Sequence, residues 1–261
     1  MSDLFKSEKL RKLRLICCEV LFREACHYMA SCPNRIDPLF VEKGLHDMKS
    51  SDMLSRLQAM VDASSGKGYE AILMGYALCN NGLSGLTARD IPVAIPRAHD
   101  CITLLLGSRE RYKKRFDAKP GFYYLSSGWL ERGEANPSSE DSQLFIGQQL
   151  GMNKSYQQLV EEYGEDNAQY LYETLCQTTK NYSGVCFIET GLEPDASFET
   201  TARDAASSRK WDFDKEKGDL SLLRRLLAGE WDEKDFLVLK PGESLKPNYG
   251  ESIVEARKAN S

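Results

Sequence analysis

Two short stretches concentrate side chains able to ligate a metal or act as nucleophiles: Gly75-Tyr76-Ala77-Leu78-Cys79-Asn80-Asn81-Gly82 and Pro96-Arg97-Ala98-His99-Asp100-Cys101. Thiolate sulfur and imidazole nitrogen are ligands that zinc accepts in a tetrahedral shell. His99 and Cys101 are two residues apart, which puts both on one side of an extended segment, and a neighbouring carboxylate can orient the imidazole from behind. Asn and Gly tolerate left-handed backbone, so a turn through Asn80, Asn81 and Gly82 can offer amides to a ligand. Arg97 carries the fork that holds a carboxylate or phosphate at two points. Cys101 is also expected to open a helix, whose dipole favours the thiolate and lowers the thiol pKa.

Each stretch leaves an apolar run of strand character, Tyr69 to Met74 and Ile91 to Ile95. Two earlier runs end alike: Leu13 to Ile16 passes into Cys17-Cys18-Glu19, and Leu39 to Lys43 into Gly44-Leu45-His46. In an open parallel sheet, loops leaving the carboxyl ends of neighbouring strands form the ligand crevice. The chain has only eight Cys and three His, so four strand ends running into one or the other argue for a shared site. The expected metal ligands are Cys79, His99 and Cys101, joined by Cys18 or His46, with Asn80, Asn81 and Arg97 as ligand contacts. Adjacent strand residues face opposite ways, so only one of Cys17 and Cys18 is expected in the site, and Cys18 is nearer the strand end. Three protein ligands would leave zinc a position open for a substrate.

The same residues also have plain structural roles. A buried cysteine packs as a small hydrophobe, Asp100 serves as a helix cap, and His99 as a hydrogen-bonded core residue. Cys26, Cys32, Cys176 and Cys186 read as structural. The aromatic run Phe122-Tyr123-Tyr124 and Trp129 read as core. A metal-independent alternative makes Cys79 or Cys101 the nucleophile, assisted by His99.

The elements that position these residues follow a β-α-β-β-α spacing. The expected fold is α/β: a mostly parallel sheet flanked by helices, as one large domain or two tightly joined lobes. Strands are expected at 13–18, 39–44, 69–76, 91–96, 122–125, 183–189 and 236–239. Helices are expected at 19–31, 53–63 (with Ser51 and Asp52 as caps), from about Asp100 to about Phe116, and at 143–162, 165–179, 196–208 and 221–227. Residues 1–132 are expected to form an N-terminal α/β lobe carrying the Cys/His crevice. The polar stretch from Gly133 to Asp141 reads as an internal boundary. Residues 143–248 then complete the sheet or build a second lobe, and 249–261 read as a disordered tail.

The 261 residues are 41% hydrophobic and 28% charged, enough for a substantial core. A net charge of −5 and a pI near 5.4 argue against nucleic-acid and anionic-membrane partners. No run approaches the roughly 18 apolar residues of a membrane span, and no secretory leader is visible, so a cytoplasmic protein with reduced thiols is expected. The glycines match neither the dinucleotide fingerprint nor the phosphate-cradling loop, which disfavours standard nicotinamide and ATP enzymes. The cysteines include no CxxC pair, which disfavours zinc ribbons and thioredoxin-type chemistry.

Gly44-Leu45-His46, the segment Gly75 to Gly82, Arg97-Ala98-His99-Asp100-Cys101-Ile102-Thr103-Leu104 with Gly107-Ser108, and Gly128-Trp129 together resemble the family catalogued as domain of unknown function 1638. Cys18-Glu19, Leu220 to Trp231 and Asp235-Phe236-Leu237-Val238 extend the resemblance over most of the chain. The resemblance implies bacterial or archaeal origin, often in anaerobes, and proximity to genes of corrinoid-dependent methyltransferases. It brings no established activity and no catalytic residue. Three readings stand: a zinc protein of one-carbon or corrinoid-linked methyl metabolism with a small-molecule ligand and corrinoid or methyltransferase partners; a metal-independent cysteine enzyme; and a non-catalytic accessory protein that holds a metal, corrinoid or small carboxylate.

Overall fold

The structure, a computed structural model, describes residues 10–47, 49–79, 81–132, 160, 165, 182–248, 250 and 252–259. The chain divides into two compact units, one made of Met1–Lys113 with Gly218–Ser261 and the other of Lys114–Lys217. The second unit is thus inserted into the first.

The first unit is built on a five-stranded sheet. Its strands are β1 (Lys12–Cys18), β2 (Arg35–Val41), β3 (Ala71–Gly75), β4 (Val93–Pro96) and β8 (Phe236–Leu239), in the order β2-β1-β3-β4-β8. The first four are parallel and β8 closes the edge antiparallel, so the fold is α/β with a mostly parallel sheet, as the sequence predicts. Parallel strands covered on both faces read as continuous apolar runs. Accordingly, all five residues of Ala71-Ile72-Leu73-Met74-Gly75 are buried, and Leu13, Leu15 and Ile16 are fully buried beside them. The connecting helices are α1 (Phe22–Ser31) and α2 (Ser50–Ser64). Helix α7 (Ser221–Ala228) buries Leu222, Leu223, Leu226 and Leu227 and packs on α1, β3 and β4.

Where β1 and β3 lie side by side, the tightest fit is between Cys17 and Gly75, which are register partners. A Cβ at Gly75 would meet the Cys17 Sγ at 2.4 Å and its Cβ at 2.8 Å, closer than packed atoms approach. We expect Gly75→Ala to cost about 2–3 kcal/mol in urea titration, the range for overpacking a rigid core. Adding Cys17→Ala should return part of that loss, since it removes the closer contact. A fully stable single variant would show that the two strands can separate freely.

Several boundaries differ from those read in the sequence. The helix expected from Asp100 to Phe116 is two helices, α3 (Cys101–Leu106) and α4 (Arg109–Ala118). The break is at Gly107, whose φ of 79° suits glycine and whose absent side chain leaves room for Asp219; a Cβ there would meet the Asp219 Cγ at 2.6 Å. The second strand starts earlier than expected and contains Pro38, which an edge strand tolerates because one side of its ladder is unpaired. Helix α2 starts at Ser50 after Lys49, without a side-chain cap from Ser51 or Asp52. In the tail expected to be disordered, β10 (Val254–Lys258) pairs antiparallel with β9 (Glu243–Pro247).

The second unit has its own three-stranded parallel sheet, in the order β5 (Phe122–Leu125), β6 (Gly184–Glu189) and β7 (Asp212–Lys217). Helix α5 (Ser127–Glu131) follows β5, and α6 (Ser197–Ser208) buries Ala202, Ala205 and Ala206 and packs on β6 and β7. Strand β7, Asp-Phe-Asp-Lys-Glu-Lys, has no apolar run to mark it. It is tied in by ion pairs, with Asp214 accepting from Arg115 and, at 2.7 Å, from Lys119. The expected helices at 143–162 and 165–179 lie outside the described residues apart from 160 and 165.

Candidate functional site

Because β1, β2, β3 and β4 run parallel, the segments that follow them leave the same edge of the sheet. The strand order reverses between β1 and β3, since β2 lies outside β1 while β3 and β4 lie on its other side. Such a switch point opens a crevice at the carboxyl edge. Cys18 ends β1 and Cys79 follows β3 by four residues, so both stand at this point, and Cys101 opens α3 after the adjacent β4. The turn Lys43–Asp47, which contains His46, follows β2. The His46 side chain and all of Asn80 lie outside the described residues.

The segments after β3 and β4 are laced together by their backbones. The Leu78 amide donates to the Ala98 carbonyl at 3.0 Å and the Cys79 amide to the His99 carbonyl at 2.9 Å. The chain then turns sharply, with the Gly82 amide donating to the Cys79 carbonyl at 3.0 Å. Cys79 and Asn81 have φ of 44° and 63°. A non-glycine residue in this region carries strain that its surroundings must hold in place, and such strain gathers at ligand sites. For Asn81 the conformation was expected from its type; for Cys79 it was not.

Cys18 contributes to the raised thiols of Cys79 and Cys101, and Cys79 to that of Cys101. Burial pushes the Cys18 thiol up to about 12, against lowering contributions from the Val20 amide and the Tyr76 hydroxyl. Burial, then the Cys18 thiol, raises Cys79. Burial raises Cys17 too, followed by Cys18, Glu24 and Cys26. Of the adjacent pair, Cys18 is the one that joins Cys79 and Cys101.

Cys101 departs from the expectation of a helix-activated thiolate. Helix α3 does begin at Cys101, but Asp100 already occupies its end: the Asp100 Oδ1 accepts from the Ile102 amide at 3.1 Å and the Thr103 amide at 3.4 Å. The amides that were to favour the thiolate are therefore taken by a carboxylate, whose own charge opposes a second anion. Burial first, and Asp100 second, raise the Cys101 thiol well above its ordinary value. Burial also raises the Asp100 carboxyl, while the Tyr112 hydroxyl donates to its Oδ2 at 3.0 Å.

His99 is exposed. The expected pairing of His99 and Cys101 on one side of an extended segment is altered because the chain turns into α3 at Cys101. Among the described residues, no three of His, Cys, Asp and Glu are gathered closely enough to hold a metal as they stand. The chemistry of the donor set, three neighbouring thiols, nevertheless suits a thiophilic cation.

Arg97, expected to contact a ligand, is engaged by the backbone. Its Nε donates to the carbonyls of Glu233 (3.0 Å) and Phe236 (3.2 Å), and its Nη1 to those of Ser252 (3.0 Å) and Val254. It fastens β8 and the start of β10 to the end of β4.

Two residues that the sequence reading passed over complete the picture. Tyr76, 1% exposed, has its hydroxyl raised by burial first and by the Cys18 thiol next. Lys43, 3% exposed, lowers the Cys18 thiol, as the smallest of the influences on it. Both fall within strands read from the sequence, at 39–44 and 69–76, and neither residue type marks a partner of a thiol. Elsewhere, the Cys32 thiol donates to the Leu227 carbonyl at 3.4 Å, and Cys186 in the second unit accepts from Arg115 at 3.7 Å, as structural thiols do. Cys176 lies outside the described residues, and Trp129 is buried.

Among the described residues, no helix is long and apolar enough to cross a membrane. The sequence profile of the family described as "Protein of unknown function (DUF1638)" matches residues 40–227. That span includes His46, Cys79, His99 and Cys101 and stops short of Cys18 on one side and of Asp235–Val238 on the other. No curated protein and no solved structure matches the chain.

Proposed function

The chain belongs to the DUF1638 family, and we propose that its sheet edge binds a thiophilic divalent cation, zinc first among them, through Cys18, Cys79 and Cys101. The observation that supports this reading most is that Cys18, Cys79 and Cys101 follow three neighbouring parallel strands at the carboxyl edge of the sheet, around the switch point. His99, exposed on the segment after β4, and His46 are the candidates for a further ligand. Because the thiols are not gathered at ligand spacing, binding requires the turn after β3 and the segment before α3 to close on the ion. The left-handed backbone at Cys79 and Asn81 marks where that adjustment has least regular structure to disturb.

The raised thiols favour a metal over an unaided cysteine nucleophile. A nucleophile needs thiolate at neutral pH, and burial here opposes it. A bound cation supplies the missing stabilisation and expels the protons. Zinc held by thiolates can in turn present a small-molecule substrate to a partner, and the family resemblance supports one-carbon or corrinoid-linked methyl chemistry with corrinoid or methyltransferase proteins as partners.

Protein purified without oxygen should contain close to one tightly bound divalent metal per chain by elemental analysis. Returning zinc to stripped protein at pH 7.5 should release between two and three protons per ion in weakly buffered solution, because the thiols start protonated. Cys79→Ala or Cys101→Ala should lower both metal content and proton release. Unchanged metal content in the Cys79→Ala, Cys101→Ala double variant would rule this site out. Metal-free protein with thiols alkylated rapidly at pH 7 would hand the case to the cysteine-enzyme reading.

A further inference from the structure

The segments leaving β3 and β4 carry Cys79 and the triplet from His99 to Cys101, and both are tied to one distant element, the β9–β10 hairpin. On one side, residues 85–88 run antiparallel beside β9. The Gly85 amide donates to the Leu245 carbonyl at 2.8 Å and the Ala88 amide to the Glu243 carbonyl at 2.9 Å, while the Leu245 amide donates back to the Leu86 carbonyl at 2.8 Å. Thr87 and Ser244 are bridge partners in this pairing. On the other side, β10 pairs with β9, and Arg97 grips the start of β10: its Nη1 donates to the carbonyls of Ser252, at 3.0 Å, and of Val254. Arg97 stands two residues before His99. Leu86, Ala88, Leu245 and Val254 are buried, so the ties are made where an amide or carbonyl left without its partner is costly.

We infer that the β9–β10 hairpin is a strap that couples the loops after β3 and β4, so that the backbone around Cys79 and around His99 opens as one unit with the release of the hairpin. Proteins open in contiguous cooperative units, and two loops that share an anchor belong to the same one. Here the connections close a ring. Leu78 and Cys79 bond directly to Ala98 and His99, Arg97 bonds to β10, β10 pairs with β9, and β9 returns to residues 85–88 of the first loop. Opening either loop alone would break bonds that the other keeps in place. The strap governs when the Cys79 thiol, 8% exposed, meets a ligand. It does so whatever that ligand is, and it does not rest on the metal reading.

Residue-resolved hydrogen exchange on the full-length chain is the test. Arg97→Met removes the grip on β10, and the informative amides are those of Gly85 and Ala88, which bond to β9 and not to Arg97. Their exchange should quicken by about 10–100-fold, the factor that matches losing one hydrogen bond from a charged donor. The amides of Leu78 and Cys79 should quicken with them. The Ile72 amide, which donates to the Pro92 carbonyl at 2.9 Å within the sheet, reports global unfolding, so only quickening beyond that of Ile72 counts. Gly85 and Ala88 amides that quicken no more than Ile72, while Leu78 and Cys79 do, would overturn the strap and leave two loops held independently. A second variant adds a tie instead of removing one. Thr87→Cys with Ser244→Cys puts thiols on the bridge partners, and oxidised glutathione, itself reduced in the exchange, joins them as a disulfide whose position peptide mapping confirms. Compared with the same chain before oxidation, the cross-link should slow exchange at Leu78 and Cys79 by about tenfold or more. Slowing confined to residues 85–88 would equally overturn the inference. Should Arg97→Met fail to fold, the cross-linked chain carries the decision alone.

Discussion

Replacing Arg97 with Met should destabilise the protein by about 3–5 kcal/mol in urea or thermal unfolding, the largest single-residue effect expected outside the deep core. The guanidinium donates to four backbone carbonyls, of Glu233, Phe236, Ser252 and Val254. Hydrogen bonds from a charged donor contribute about 1.5–3 kcal/mol each, and acceptors left buried without a donor bear a desolvation cost. These terms overlap, so the total falls below their sum. Lys at this position should recover little, because a single ammonium cannot reproduce the fork. The result separates two roles for the residue. A ligand-binding arginine would change ligand affinity and leave stability nearly untouched, whereas a fastening of β8 and β10 onto β4 shifts the unfolding midpoint in the absence of any ligand. A loss below about 1 kcal/mol would mean that the backbone contacts alone hold these strands.

Alkaline pH should weaken the metal-free protein steeply. The Cys18 thiol is held at about 12 in the folded state by burial, well above its ordinary value of 9.0. Below pH 9 it is protonated whether the chain is folded or not, and its contribution to stability is present in full. Above pH 9 the unfolded chain ionises first, and stability falls by about 1.4 kcal/mol per pH unit until the folded thiol titrates near 12. Cys17, Cys79, Cys101 and Tyr76 are raised as well, with burial the leading cause for each, so the whole group steepens the slope. Urea midpoints between pH 8 and pH 11 should therefore drop faster in the wild type than in Cys18→Ala, whatever the variant loses at neutral pH from its smaller side chain. Parallel curves would show that the Cys18 thiol reaches solvent. Bound zinc should delay the fall, since a ligated thiolate has already given up its proton.

The sequence by itself carried the architecture. Leu13 to Ile16, Ala71 to Met74 and Val93 to Ile95 are unbroken apolar runs, and a strand covered on both faces allows little else, so the parallel sheet was legible from composition along the chain. Once the strands are parallel, their following segments must share an edge, which is why Cys79, His99 and Cys101, with Cys18 or His46, could be placed along one edge before any coordinates. The side-chain period of two likewise separated Cys18 from Cys17. Strand β7 was not legible, because it lacks an apolar run of its own and is held by its ladder to β6 and by ion pairs to Arg115 and Lys119, all distant in sequence. Strand β10 was hidden because Val-Glu-Ala-Arg-Lys makes no apolar run and its contact with Arg97 is long-range.

Only the tertiary structure decided what the grouped residues experience. A thiol's proton affinity depends on how much water and which charges surround it. Those are properties of packing, so the helix start at Cys101 suggested an anion where burial and the Asp100 carboxylate favour the neutral thiol. Arg97 could be read from its type as a ligand fork, but the carbonyls it binds lie 136 to 157 residues further along the chain. Tyr76 looks like an ordinary core tyrosine until the register of β3 against β1, with Gly75 opposite Cys17, sets it beside the Cys18 end of β1. Local sequence specifies the strands and the edge they share. The charge, exposure and partners at that edge are set by contacts between residues far apart in the chain, and no local pattern encodes them.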